Sequence, residues 1–249
     1  MKLKPISLVV LSTLLVGSAA MAQTQAAEPD YTLAYNVGVT SDYRFRGIAQ
    51  TATDPALQAG VDFAHKSGFY LGAWGSNVSW IKDFGASDGS LEIDLYGGYK
   101  GEVVPGLGFD LGLITYQYPQ NTATTNANTT EVYGALSYGP VTAKYSRSTG
   151  NFVGNANSSG SAYFEVAATF DLGNGFTLMP HVGRQTISNV ANDAGNYTDY
   201  ALTLGKDFGN GLSATLAAVG SNADKSFYTD TKGKFLGNDT VVAGLKYSF

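Results

Sequence analysis

Val241-Val242-Ala243-Gly244-Leu245-Lys246-Tyr247-Ser248-Phe249 closes the chain with two patterns interleaved. Val241, Ala243, Leu245, Tyr247 and Phe249 form one set, and Val242, Gly244, Lys246 and Ser248 the other. Side chains alternate faces along a β-strand, so this stretch presents an apolar face and a mixed small-polar face. Its aromatic terminus, with Leu245 and Tyr247 on the same face, matches the kind of last strand that the outer-membrane insertion machinery recognises.

The same two-faced writing recurs upstream. Leu33, Tyr35, Val37, Val39, Tyr43 and Phe45 oppose Thr32, Ala34, Asn36, Gly38, Thr40, Asp42, Arg44 and Arg46. Leu57, Ala59, Val61 and Phe63 oppose Gln58, Gly60 and Asp62, while Leu91, Ile93, Leu95 and Tyr99 oppose Glu92, Asp94 and Lys100. Segments of this kind predict twelve strands, at 31–45, 56–65, 69–80, 90–100, 107–118, 130–139, 141–148, 161–171, 176–187, 197–207, 211–221 and 239–249. Parity is less clean in the third, fifth and eleventh. There Trp74, Trp80, Tyr116 and Tyr118 fall opposite the apolar face, and a bulge is one way to restore it.

The connections alternate in length. Long polar ones fall near 46–55, 81–90, 119–130, 148–160, 188–197 and 221–239, and the 119–130 loop reads as too polar to pack. Short ones carry turn residues, as in Gly173-Asn174-Gly175 and Gly209-Asn210-Gly211. Long loops on one side, short turns on the other and an even strand count describe an all-β, single antiparallel transmembrane β-barrel. Both termini then lie on the short-turn side.

Composition agrees. The 249 residues include 31 Gly, 16 Tyr and 13 Phe but only 14% charged residues, with mean hydropathy near zero. Lys2, Lys4, the apolar stretch from Ile6 to Val16 and the Ala20-Met21-Ala22 cleavage pattern read as a signal peptide over 1–22, leaving 23–249 as the barrel. Without Lys2 and Lys4 the net charge falls from −5 to −7, which argues against nucleic acid as a partner. Cysteine is absent, so disulfides, thiolate metal sites and cysteine nucleophiles are excluded. A soluble sandwich or lipocalin-like barrel would also alternate. Twelve strands, however, enclose more volume than the small residues of the polar face would fill as a dry core.

The segment Asn36-Val37-Gly38-Val39-Thr40-Ser41-Asp42-Tyr43-Arg44-Phe45-Arg46-Gly47-Ile48, followed by Gly68-Phe69-Tyr70-Leu71-Gly72-Ala73-Trp74-Gly75-Ser76-Asn77-Val78, resembles the TorF-type porins. These are uncharacterised proteobacterial outer-membrane proteins. The segments 92–99, 131–133 and 197–200 share the resemblance, which extends over essentially the whole chain after the signal peptide. It implies an outer-membrane porin without a defined substrate.

Parity turns Asp42, Arg44, Arg46, Asp62, Glu92, Asp94, Lys144, Glu165 and Asp199 inward, with Glu131 on the face of Tyr133. We read these as pore-lining, a charged ring of arginines against carboxylates that sets selectivity. An internal salt-bridge network that closes the barrel weighs about equally. No cofactor is expected, since no phosphate-binding loop, dinucleotide fingerprint or metal-spaced histidine cluster occurs. The expected partners are outer-membrane lipid and lipopolysaccharide, the insertion machinery and small polar solutes. A hydrolase would need a histidine beside a nucleophile or activated water; His65 falls at a short turn and His181 mid-strand. Glu92 and Asp94, two positions apart, read as selectivity lining before acid–base catalysts. Tyr35, Tyr43, Phe45, Tyr70, Trp80, Tyr99, Tyr145, Tyr200 and Tyr247 are expected as interfacial girdles. An anchor or adhesin acting through its loops is the third class.

Overall fold

A computed structural model describes residues 29–249; the signal-peptide segment 1–22 lies outside the described residues. Twelve strands run β1 (Tyr31–Thr40), β2 (Ala56–His65), β3 (Phe69–Asn77), β4 (Leu91–Val104), β5 (Leu107–Gln117), β6 (Thr129–Tyr138) and β7 (Val141–Ser148). They continue with β8 (Ala162–Ala168, resumed as Phe170–Gly173), β9 (Phe176–Thr186), β10 (Tyr197–Gly209), β11 (Leu212–Ser221) and β12 (Thr240–Ser248). Each pairs antiparallel with its neighbours in sequence, and β1 pairs with β12, so the sheet closes on itself. Closure continues into the last residue. Phe249 N–H donates to Tyr35 O at 3.0 Å, Tyr35 N–H to Phe249 O at 2.9 Å, and the two rings stack at 5.7 Å.

The apolar set of each strand faces outward. Leu33, Leu57, Leu71, Leu111, Leu202 and Val241 are each about half exposed or more, as are their equivalents around the wall. Such a continuous apolar exterior belongs against lipid rather than water. No helix among the described residues is long and apolar enough to cross a membrane; this fold crosses with strands. Tyr35, Tyr99, Tyr145, Tyr200 and Tyr247 lie on that exterior.

The short-turn end is built by a repeated device. Asp171-Leu172-Gly173-Asn174-Gly175 and Asp207-Phe208-Gly209-Asn210-Gly211 each shift register at the Asp–Gly step. In each, the Asp Oδ1 accepts the N–H of the first Gly at 2.8 Å. Asn174, Gly175, Asn210 and Gly211 all have φ between 52° and 83°, the mirror-image turn whose twist matches that of the flanking strands.

Four expectations are corrected, most of them at the long-loop end. The first strand stops at Thr40 instead of 45, and Tyr43 and Phe45 turn into the barrel instead of facing lipid with Leu33. Tyr70 also points inward, and Trp80 sits on a short helix (Trp80–Asp83) between β3 and β4; neither joins a girdle. The 119–130 loop does pack. Ala127 is fully buried and Ala123 partly so, with Asn121 and Asn128 bonding the backbone of Tyr118. β3 and β5 contain no bulge near Trp74 or Tyr116: their registers are regular, and these aromatics are genuinely lumenal.

The two residues Gly209 and Gly211 separate two physical costs. Both have positive φ, but a Cβ at Gly211 would stand 2.0 Å from Ser248 O, whereas one at Gly209 meets nothing within 4 Å. Gly211→Ala is therefore expected to lower stability by about 1–3 kcal/mol more than Gly209→Ala, measured by urea unfolding of the folded barrel in lipid.

Candidate functional site

Beyond Thr40 the chain leaves the wall and folds inward as a hairpin. Arg44–Phe45 pairs with Ile48–Ala49 around a two-residue turn, Arg46 (φ 49°) and Gly47 (φ 82°). Gly47 is required, since a Cβ there would approach the Asp199 Cβ to 2.7 Å. The turn carries Arg46 into the lumen, near the long-loop ends of β6 and β9.

There Arg46 meets β6. One guanidinium nitrogen lies 2.6 Å from Glu131 Oε2; the other donates to Glu131 Oε1 at 3.1 Å and to Gln185 Oε1 at 2.7 Å. Its carbon stands 4.2 Å from the ring centre of Tyr163 and 4.7 Å from that of Phe45. Tyr116 adds a hydroxyl to Glu131 Oε2 at 3.2 Å. Glu131 is fully buried. Such a forked pair fixes geometry more than it adds stability, because both charges have left water.

Arg44 holds the base of the same hairpin. Its Nε donates to Asp42 Oδ2 at 2.7 Å, and one terminal nitrogen reaches the carbonyls of Gly47, Leu236 and Asn238 at 3.1, 2.9 and 3.0 Å. The hairpin is thus stapled to the 222–239 loop. Two apolar clusters grip its sides. Ile48 and Ala49 pack with Tyr197, Tyr228 and Leu236, while Tyr43 and Phe45 pack with Val78, Ile81, Tyr116 and Tyr118.

The remaining expected residues all lie on the inner wall. Tyr43 donates to Glu92 Oε1 at 3.0 Å, while Glu92 Oε2 and Asp94 Oδ1 are buried without a hydrogen-bond partner. His181 Nε2 lies 3.2 Å from Glu165 Oε2, and its Nδ1 3.5 Å from Asp199 Oδ1. Asp199 also accepts the Tyr163 hydroxyl at 2.9 Å. Nearer the short-turn end Tyr96 bonds Asp62, and the Lys144 ammonium sits 4.3 Å over the Tyr133 ring. The arrangement differs from a ring in which two wall arginines face carboxylates. Only Arg46 spans the lumen, from a hairpin and not from a strand; Arg44 pairs within its own loop.

The inner tyrosines were not singled out by parity alone. A Cβ at Gly72 would stand 2.5 Å from the Tyr96 ring, at Gly112 2.6 Å from Tyr133, at Gly98 2.6 Å from the Tyr70 hydroxyl, and at Gly183 1.9 Å from that of Tyr163. Each ring is laid along the wall over a glycine of the adjoining strand, rather than projecting across the lumen. The signal was present as glycines opposite tyrosines, but it is readable only once register is known.

The profile of a family described as "Bacterial protein of unknown function (Gcw_chp)" matches residues 23–249, and the chain belongs to that family. No curated protein matches it in sequence. Among solved structures it is similar to a KdgM porin in complex with disordered oligogalacturonate, with a TM-score of 0.54 and 7% identity over 87% of this chain and 98% of that one. It is similar to the NanC porin at a TM-score of 0.54 and 10% identity, covering 88% and 99%. The COG4313 outer membrane channel from Pseudomonas putida F1 superposes at a TM-score of 0.50 and 10% identity, covering 91% and 99%. At such identities the likeness is one of fold.

Breaking the central pair should be costly in one direction only. Glu131→Gln strands the Arg46 charge and is expected to cost about 3–5 kcal/mol, whereas Arg46→Met combined with Glu131→Leu recovers most of that loss. Urea unfolding in lipid reads both; equal destabilisation by the single and double variants would contradict it.

Proposed function

We propose that this member of the Gcw_chp family is an outer-membrane porin through which small hydrophilic solutes diffuse, with the inward hairpin as its constriction. The observation that carries the reading is the division of the wall: apolar side chains outside, and inside a lining of charged and small polar residues with tyrosines laid flat. A lining of this kind is what an aqueous channel requires. The signal-peptide pattern at 1–22, the aromatic terminus of Leu245, Tyr247 and Phe249, and the TorF-type likeness of residues 36–48 support export and insertion in the outer membrane. In that orientation the long loops and the hairpin face outside the cell, and the short turns and both termini face the periplasm. Lipid and lipopolysaccharide then contact the apolar belt.

The lining suggests a preference. Around the hairpin stand Glu92, Asp94, Glu131, Glu165 and Asp199, against Arg46 and His181, with Lys144 farther toward the short turns. Glu92 and Asp94 have no cation in contact among the described residues. Glu165 and Asp199, which share His181 and pair with no lysine or arginine among the described residues, favour small cations and protonated amines over anions.

A second reading, a closed barrel acting through its loops, is favoured by one observation. Arg44 and Arg46 together fasten the hairpin in place. A hydrolase is the weaker alternative, because His181 contacts Glu165, Asp199 and Tyr163 within the lumen, away from lipid. We read the protein as a non-enzyme without cofactor.

Planar-bilayer recording tests the porin reading. Wild type is expected to show small, cation-preferring steps. Arg46→Ala, which frees the hairpin tip and leaves Glu131 unneutralised, should raise unit conductance at least about twofold and increase cation preference. Silent bilayers for both proteins, with heat-modifiable migration intact, would favour the closed barrel. Removal of Phe249 should separately lower the amount of protein recovered in the outer membrane of cells.

A further inference from the structure

The long-loop end contains a hollow lined mainly by apolar side chains. Between the two apolar clusters lies a cavity of about 460 Å³. Its floor is the hairpin, through Phe45 and Ile48. Its walls come from the short helix through Trp80, from the 149–161 loop through Phe152, and from Ile187 and Leu236. No Asp, Glu, Lys or Arg lines it. Arg46, at the hairpin tip, already has its guanidinium engaged by Glu131 and Gln185.

An apolar hollow left to water is unfavourable, by about 25 cal/mol for each Å² of wetted surface. Larger side chains at Ala86 or Ala123, which stand on its border, would have filled it. Retained apolar hollows of roughly 300–1,000 Å³ are the usual seats of small molecules. An apolar cavity of about 150 Å³ holds benzene, so this one has room for a larger ring system. Aromatic rings from Phe45, Trp80, Phe152 and Tyr228 offer edges and faces to such a ligand; Gln50 and Asn155 also line it, with their amide nitrogens already donating to the carbonyls of Ile48, Phe152 and Val153.

The geometry points to a binding site at the mouth for a neutral, ring-bearing small molecule taken from the medium. The site goes beyond the diffusion reading and stands whether or not the lumen conducts. Because its floor is the hairpin itself, the ligand rests directly on the element that narrows the channel.

Trp80 makes the site observable, since Trp74 is the only other tryptophan. In a Trp74→Phe background, with the barrel folded in lipid nanodiscs, 4-nitrobenzyl alcohol should quench Trp80 saturably. Benzyl alcohol should compete for the site and glucose should not. Ala123→Phe and, independently, Ala86→Phe should raise the half-saturating probe concentration at least about tenfold. Each variant is checked for folding by heat-modifiable migration. Quenching that rises linearly with probe, is untouched by benzyl alcohol, or is unchanged in either folded variant would reflect partition into lipid and overturn the proposal. Bilayer recordings fail or succeed separately from this titration, so loss of the porin reading leaves it intact.

Discussion

Hydrocarbon offers a peptide group no hydrogen-bonding partner, and a sheet that crosses it must therefore have no edge. The rest of this molecule depends on how that requirement is met at the seam between β1 and β12. Pairing there starts at Thr40 with Gly244 and runs to the terminal residue, where Phe249 and Tyr35 exchange both backbone bonds. The stacked rings of Tyr35, Tyr247 and Phe249 cover the seam on its outer side. Closure fixes the lumen, and the lumen fixes which face of every strand is outside.

The inward hairpin is constrained by the same physics from the other side. A segment that leaves the wall takes its backbone and charged groups with it, and they need partners within the barrel. Arg44 finds them in carbonyls of the 222–239 loop, and Arg46 in Glu131 and Gln185. Apolar packing on both flanks supplies what the charges do not. The dry core of this protein therefore sits at the long-loop mouth, and not at mid-barrel.

Much of the wall was legible from period two and the turn residues. All twelve strands stand where alternation puts them, and the Asp-x-Gly-Asn-Gly turns at 171–175 and 207–211 form at the expected places. The limit was reached at Thr40. Alternation continues through Tyr43 and Phe45, and an aromatic destined for an apolar interior is indistinguishable by hydropathy from one destined for lipid. The turn that redirects the chain was hidden because Arg46 occupies a left-handed position where Asn or Asp is usual, leaving only Gly47 as a sign. Asp62, Glu92, Asp94, Glu131, Lys144, Glu165 and Asp199 lie on the strand face opposite the lipid-facing set. Asp42, Arg44 and Arg46 belong to the segment that leaves the wall, and the grouping of these charges was out of reach. Which carboxylate meets Arg46 depends on how far the hairpin penetrates, and that is a tertiary distance.

The flattened tyrosines show why a barrel can be rich in aromatics and still keep space inside. A tyrosine projecting radially would stand in the lumen. Laid over the glycine of a neighbouring strand, it covers exposed backbone and occupies only the thickness of a ring. Its hydroxyl then reaches along the wall to a carboxylate, as Tyr96 does to Asp62, Tyr70 to Asp110 and Tyr163 to Asp199. Each of these carboxylates is thereby held at the wall with a tyrosine donor in place. Glycine opposite tyrosine is thus a structural device with an electrostatic result. The wall is lined by rings lying flat, and the hairpin is the element that enters the space they leave.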